Sequence, residues 1–108
     1  MKEEYIQIFT TIENKEDAEK IAKSLIEKRL AGCIQIIGPI SSIYWWKNKI
    51  ETSQEWLCII KSKKNLYEEI EKSIKEIHPY EIPEIIAMPI ISGNKDYLKW
   101  LDNELKKE

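Results

Sequence analysis

The single histidine, His78, sits in His78-Pro79-Tyr80-Glu81-Ile82-Pro83-Glu84, beside a tyrosine and two carboxylates. An imidazole can bind a metal or move a proton near neutral pH. At a helix C-terminus it can also serve only to oppose the helix dipole. The chain has two cysteines, Cys33 and Cys58. A thiolate is a soft ligand for copper(I) or zinc, but cysteine more often packs as a small hydrophobe. Cys58, between Leu57 and Ile59, reads as core, which leaves Cys33 as the candidate ligand with His78. No Cys-x-x-Cys pair and no paired histidines give a ready metal motif. Tyr80, Glu81 and Glu84 can line a ligand cleft, with Lys61 as a counter-charge. No nucleophile and base stand together, and three glycines cannot build a phosphate-binding loop. The sequence reads as a binding protein rather than an enzyme.

Those residues need elements to position them. Pro79 pushes His78 out of the α region and so ends a helix. Pro83 and Pro89 bracket an apolar run, as prolines do at strand ends. Residues 5–12 are β-branched and aromatic and predict a strand. Asn14 offers a cap to a helix whose stripe is Ala18, Ile21, Ala22, Leu25 and Ile26. Gly32 follows as the expected left-handed terminator.

Strands over 33–37 and 40–46 are split by Gly38-Pro39, which predicts a bulge or bend. Lys47-Asn48-Lys49 predicts a tight turn into a strand over 50–62. Asn65 is the expected cap of a second helix carrying Leu66, Ile70, Ile74 and Ile77. A fourth strand over 84–91, a turn at Ser92-Gly93-Asn94 and a helix with Tyr97, Leu98, Leu101 and Leu105 complete the chain. The order β-α-β-β-α-β-α is the α+β, ferredoxin-like split βαβ plan, with an antiparallel sheet, a long second hairpin and one added C-terminal helix.

A chain of 108 residues is one domain, residues 1–108. Its 17 basic and 19 acidic residues are interleaved, which argues against a nucleic-acid partner. No apolar run reaches the ~20 residues of a membrane span, and no signal peptide is visible. The expected setting is the cytoplasm, with reduced thiols.

Both faces of the third and fourth strands are apolar. An extensive uncovered apolar face is uncommon on a monomer. With Tyr44, Trp45 and Trp46 at the hairpin tip, it predicts a homo-oligomer in which those aromatics are interface anchors.

Four blocks, Arg29-Leu30-Ala31-Gly32-Cys33, Tyr44-Trp45-Trp46-Lys47, His78 to Glu84, and Asp96-Tyr97-Leu98-Lys99-Trp100, together resemble the divalent-cation tolerance family, the CutA proteins. The resemblance runs from about Ile6 to Leu101. It implies a homotrimer associated with copper tolerance. It also implies that copper(II) or another divalent cation binds weakly at intersubunit clefts; a chain with this much apolar strand does not need that metal for folding. Some copper-linked bacterial members carry a cysteine near the end of the first strand and a histidine before the His-Pro; this chain has Thr10 and Ile77 there. Two other readings follow from the plan: a module resembling the nucleotide-binding PII signalling proteins, and a purely structural trimeric scaffold.

Overall fold

Alternation along the first strand, β1 (Tyr5–Ile12), divides the molecule into a covered face and an open one. Ile6, Ile8, Thr10 and Ile12 point to one side and are buried. The computed structural model describes residues 4–107. Beside β1 lie β2 (Cys33–Trp46), β3 (Lys49–Lys63) and β4 (Ile85–Pro89), in the order β2-β3-β1-β4. Every neighbouring pair is antiparallel. β3 is inserted between β1 and β2, and β1 between β3 and β4, which is the split βαβ, ferredoxin-like arrangement.

Two helices, α1 (Lys15–Glu27) and α2 (Tyr67–Ile77), cover the face of Ile8. Ala18, Ile21 and Leu25 of α1 and Ile70 and Ile74 of α2 meet Cys58 and Ile60 of β3 in the core. The third helix, α3 (Lys95–Glu104), adds Leu101, and Leu105 follows it into the core. The opposite face keeps its apolar character. Phe9 stands between Ile59 and Ile86 in the ladder, and Ile37 and Ile86 remain 49% and 48% exposed.

Three element ends differ from the sequence expectation. The left-handed residue after α1 is Arg29, with φ 57°, and not Gly32. Arg29 accepts the cost of that conformation while its guanidinium bonds the Glu104 carbonyl at 3.0 Å and carboxylate at 3.2 Å. Gly32 is small for a different reason: a Cβ there would lie 2.5 Å from Leu101 Cδ1. Asn65 does not cap α2; it lies inside a 3₁₀ turn, Lys64–Leu66, that carries Leu66 into the core. β4 is shorter than 84–91: it ends at Pro89, and one further backbone bond, from the Ile90 N–H to Tyr5 O at 2.9 Å, closes its pairing with β1.

The hairpin follows the sequence closely. Lys47 and Asn48 both take positive φ, 50° and 66°, the geometry of a two-residue hairpin loop whose twist matches its strands. Gly38 and Pro39 together oppose Trp56, a bulge of two residues against one. Only glycine fits there, because a Cβ on Gly38 would meet the Trp56 ring at 2.6 Å. Beyond the bulge, β2 and β3 continue as a two-stranded ribbon, and the molecule extends to 45 × 25 × 22 Å.

Thr10 is the one core position where polarity is unanswered. Its Oγ1 is buried without a hydrogen-bond partner, alone in this among the side-chain atoms of the described residues. Thr10→Val removes that hydroxyl and keeps the branched shape. It is expected to stabilise the fold by about 1 kcal/mol, because an unsatisfied buried hydroxyl costs more than it contributes. Urea titration checks this; a clear loss of stability would show that the hydroxyl has an unseen partner.

Candidate ligand cleft

His78 closes α2. Its backbone N–H still reaches Ile74 O at 2.8 Å, and its ψ of 128° turns the chain away, as Pro79 requires. The ring then folds back beneath the sheet and is 7% exposed. The Tyr80 backbone N–H donates to His78 Nδ1 over 3.2 Å. Nδ1 is therefore the acceptor, so Nε2 carries the proton and donates to the Thr11 carbonyl at 2.8 Å. Both ring nitrogens are engaged. Burial pushes the imidazole pKa down, only partly opposed by the Thr11 bond and the Glu55 charge. His78 is a neutral clip between the end of α2 and the end of β1.

That clip sets Tyr80. The two rings meet edge-on with centroids 4.6 Å apart. The Tyr80 hydroxyl donates to Glu55 Oε2 over 2.7 Å. Burial, and then the Glu55 bond and charge, raise the phenol pKa, so Tyr80 holds its proton. Glu55 lies on β3 across from Ile40, just past the bulge, and is 5% exposed.

Between the ribbon and the 80–84 loop lies a cleft of about 840 Å³. Its carboxylates are Glu13, Glu55, Glu81 and Glu84. Tyr44, Trp45 and Trp46 supply aromatic wall, and Ile43 and Ile82 supply aliphatic wall. Among the described residues no lysine or arginine lines it.

The fold thus brings Tyr80, Glu81 and Glu84 together with Tyr44, Trp45 and Trp46, with His78 behind them. It does not bring Cys33 or Lys61 there. Cys33 opens β2, opposite Lys61, and interacts with the Tyr97 side chain. Lys61 donates to Gln35 Oε1 at 3.0 Å and pairs in register with Gln7. Thr11, which holds His78, lies four residues farther along β1, about 13 Å at strand spacing. Cys33 and His78 therefore stand at opposite ends of the sheet. Among the described residues, no three His, Cys, Asp or Glu side chains converge to hold a metal ion. Cys58 is buried in the core, and burial pushes its thiol up to about 11.

Glu55 is the residue that sequence reasoning missed. The signal available was a carboxylate inside a strand, on the same side as Leu57 and Ile59. Nothing local names Tyr80 as its partner, 25 positions away. Glu13, Ile43 and Ile82 were missed for the same reason: they meet only because the ribbon passes the loop.

The family model described as the CutA1 divalent ion tolerance protein matches residues 6–104. The divalent-cation tolerance protein CutA of Pyrococcus horikoshii is 42% identical over 102 residues, covering 94% of this chain and 99% of that protein. A chloroplastic CutA 1 of Oryza sativa is 40% identical over 102 residues, and this chain spans 94% of itself but 58% of that protein. The crystal structure of CutA1 from a psychrotrophic Shewanella superposes with a TM-score of 0.93 at 41% identity, covering 99% of this chain and all of that one. With the split βαβ sheet, the long ribbon and the match over residues 6–104, the chain belongs to the CutA1 divalent ion tolerance family.

Proposed function

We propose that this chain works as a single domain in a non-catalytic, cytoplasmic homotrimer that binds cations weakly in the cleft beside Tyr80. The observation that carries this reading is the cleft itself: four carboxylates, one of them buried, with no basic side chain of the described residues among its walls. Such a surface attracts positive charge and repels phosphate, which weighs against a nucleotide ligand. Copper(II) heads the affinity order of divalent ions at mixed sites and is the metal proposed here. Glu55, Glu81 and Glu84 are the proposed donors. His78 acts by holding Tyr80, since both of its nitrogens are already bonded. Binding is weak because the donors are spread rather than convergent.

The open sheet face and the ribbon aromatics support assembly, with the cleft completed at the junction of two copies. The free thiols of Cys33 and Cys58 agree with a reducing compartment. Among the described residues no helix is long and apolar enough to cross a membrane.

Titration calorimetry with copper(II) and zinc tests the site. Micromolar or weaker binding is expected. It is expected to weaken about fivefold or more in Glu84→Gln, the loss of one charged ligand contact. Binding that ignores Glu84 and Glu55 but disappears in Cys33→Ser would place the metal at the other end of the sheet and end this reading.

A further inference from the structure

The C-terminal helix is fastened to the body at few places. Residues 91–94, which lead into α3, lie outside any helix or strand and are exposed. Within α3 only Leu101 is buried, and Leu105 just beyond it is the second apolar anchor. Tyr97 and Trp100 face each other with ring centroids 5.5 Å apart, and both stay partly exposed. By contrast, α1 buries Ala18, Ile21 and Leu25, and α2 buries Ile70, Ser73 and Ile74. An element with few buried apolar groups and an exposed connection belongs to the low end of local stability.

Polar contacts supply the rest of the fastening, and they reach separate parts of the body. At the end of β3, Lys63 Nζ donates to Asp102 Oδ1 over 2.6 Å, with the lysine side chain 10% exposed. A charge pair shielded to that degree is screened less than an open one. At α2, Lys106 Nζ reaches both Glu69 carboxylate oxygens at 3.1 Å. That pair is open to solvent and contributes little.

Arg29 is a further attachment and an independent observation, because its backbone is strained. Its φ of 57° is costly for a residue with a Cβ. Its guanidinium donates to the Glu104 carbonyl and carboxylate, and its own carbonyl accepts from the Lys106 N–H at 2.8 Å. Contacts with the far end of α3 therefore offset the strain at the end of α1. Strain of this kind persists only where the surroundings enforce it, so the two ends are coupled.

We infer that α3 and residues 105–106 form a strap that opens as a unit about residues 91–94 while the sheet, α1 and α2 stay folded, with Lys63–Asp102 and Arg29–Glu104 as its two latches. The strap covers the start of β2, an edge strand. Gly32 lies beneath Leu101 and Trp100, and Cys33 against Tyr97. Opening uncovers that end of the strand, away from the cleft beside Tyr80.

Amide hydrogen exchange on the full chain tests it. The amides of residues 98–104 are expected to exchange together, about a hundredfold or more faster than those at the centres of α1 and β1. Asp102→Asn is expected to speed them about tenfold further, through loss of a charge-assisted bond. Arg29→Gly removes the guanidinium and leaves a residue that takes positive φ freely. It is expected to speed α3 about threefold or more while the last turn of α1 stays protected as in the parent. Exchange of α3 at the rate of α1 would make it an integral part of the core and overturn the proposal. Fast exchange confined to residues 102–104 would be end fraying and overturn it too. Variants that leave α3 unchanged, or that speed α1, β1 and α3 alike, also overturn it. Protection of α3 that rises with protein concentration would give the strap to a neighbouring copy, and would overturn it as well.

Discussion

Trp45→Ala combined with Ile43→Ala is expected to dissociate the proposed trimer. Ile43 and Trp45 alternate on one side of the ribbon, and Ile50 pairs with Trp45 across the ladder. All three are at least 65% exposed, and no helix covers them. An aromatic anchor truncated in a packed interface typically costs about 2–4 kcal/mol. At about 1.4 kcal/mol per factor of ten, that is roughly thirtyfold to about 700-fold per anchor, before Ile43 is counted. Trp46 is a weaker choice: it is half-buried and already carries Lys47 against its ring. Sedimentation equilibrium reads the result, with a trimer mass expected for the parent chain and a monomer for the double variant at micromolar concentration. Trp45→Phe, which keeps most of the apolar body, is expected to remain assembled. A double variant that keeps the parent's mass on dilution to nanomolar would remove the ribbon from the interface.

The ribbon explains why the fold was legible in the sequence while the cleft was only partly so. Fold information here is local and periodic. β-branched and aromatic composition marked β1 at its true ends, Gly38-Pro39 marked the bulge, and Asn48 marked the hairpin loop. Where the reading slipped, a tertiary contact had displaced a local preference. Gly32 looked like a helix terminator because glycine often is one, but its size is set by Leu101 of α3. Asn65 looked like a cap, but Leu66 is drawn into the core and the turn tightens around it. The cleft depends on contacts of that second kind. His78, Tyr80, Glu81 and Glu84 are contiguous and could be read as a group, whereas Glu55 and Glu13 come from other strands and loops. Cys33 and Lys61 were candidates by residue type, and the register sets them far from Tyr80.

His78→Ala is expected to cost about 2–4 kcal/mol of folding stability, since it deletes two hydrogen bonds and leaves a cavity in a buried site. The Thr11 carbonyl loses its donor, and the Tyr80 N–H loses its acceptor. Tyr80 would then be less well aimed at Glu55, so ligand binding is expected to weaken along with stability. The ring also sets a pH dependence with a definite sign. Its native pKa lies below the ordinary histidine value, chiefly through burial. The unfolded chain therefore takes up a proton first as pH falls. Stability from this group is fully present above the unfolded value of about 6.5 and declines as pH drops from there toward the native pKa. Below the native pKa the loss is complete and the slope ends. Urea titrations at about pH 7.5 and 5.5, for the parent and His78→Ala, isolate the effect, because carboxylate titration is common to both chains and cancels in the difference. The parent is expected to lose more stability than the variant over that interval. A parent whose stability rises on acidification relative to the variant would mean that the native ring is protonated. Nε2 and Nδ1 would then both be donors, and the bond from the Tyr80 N–H could not exist as described.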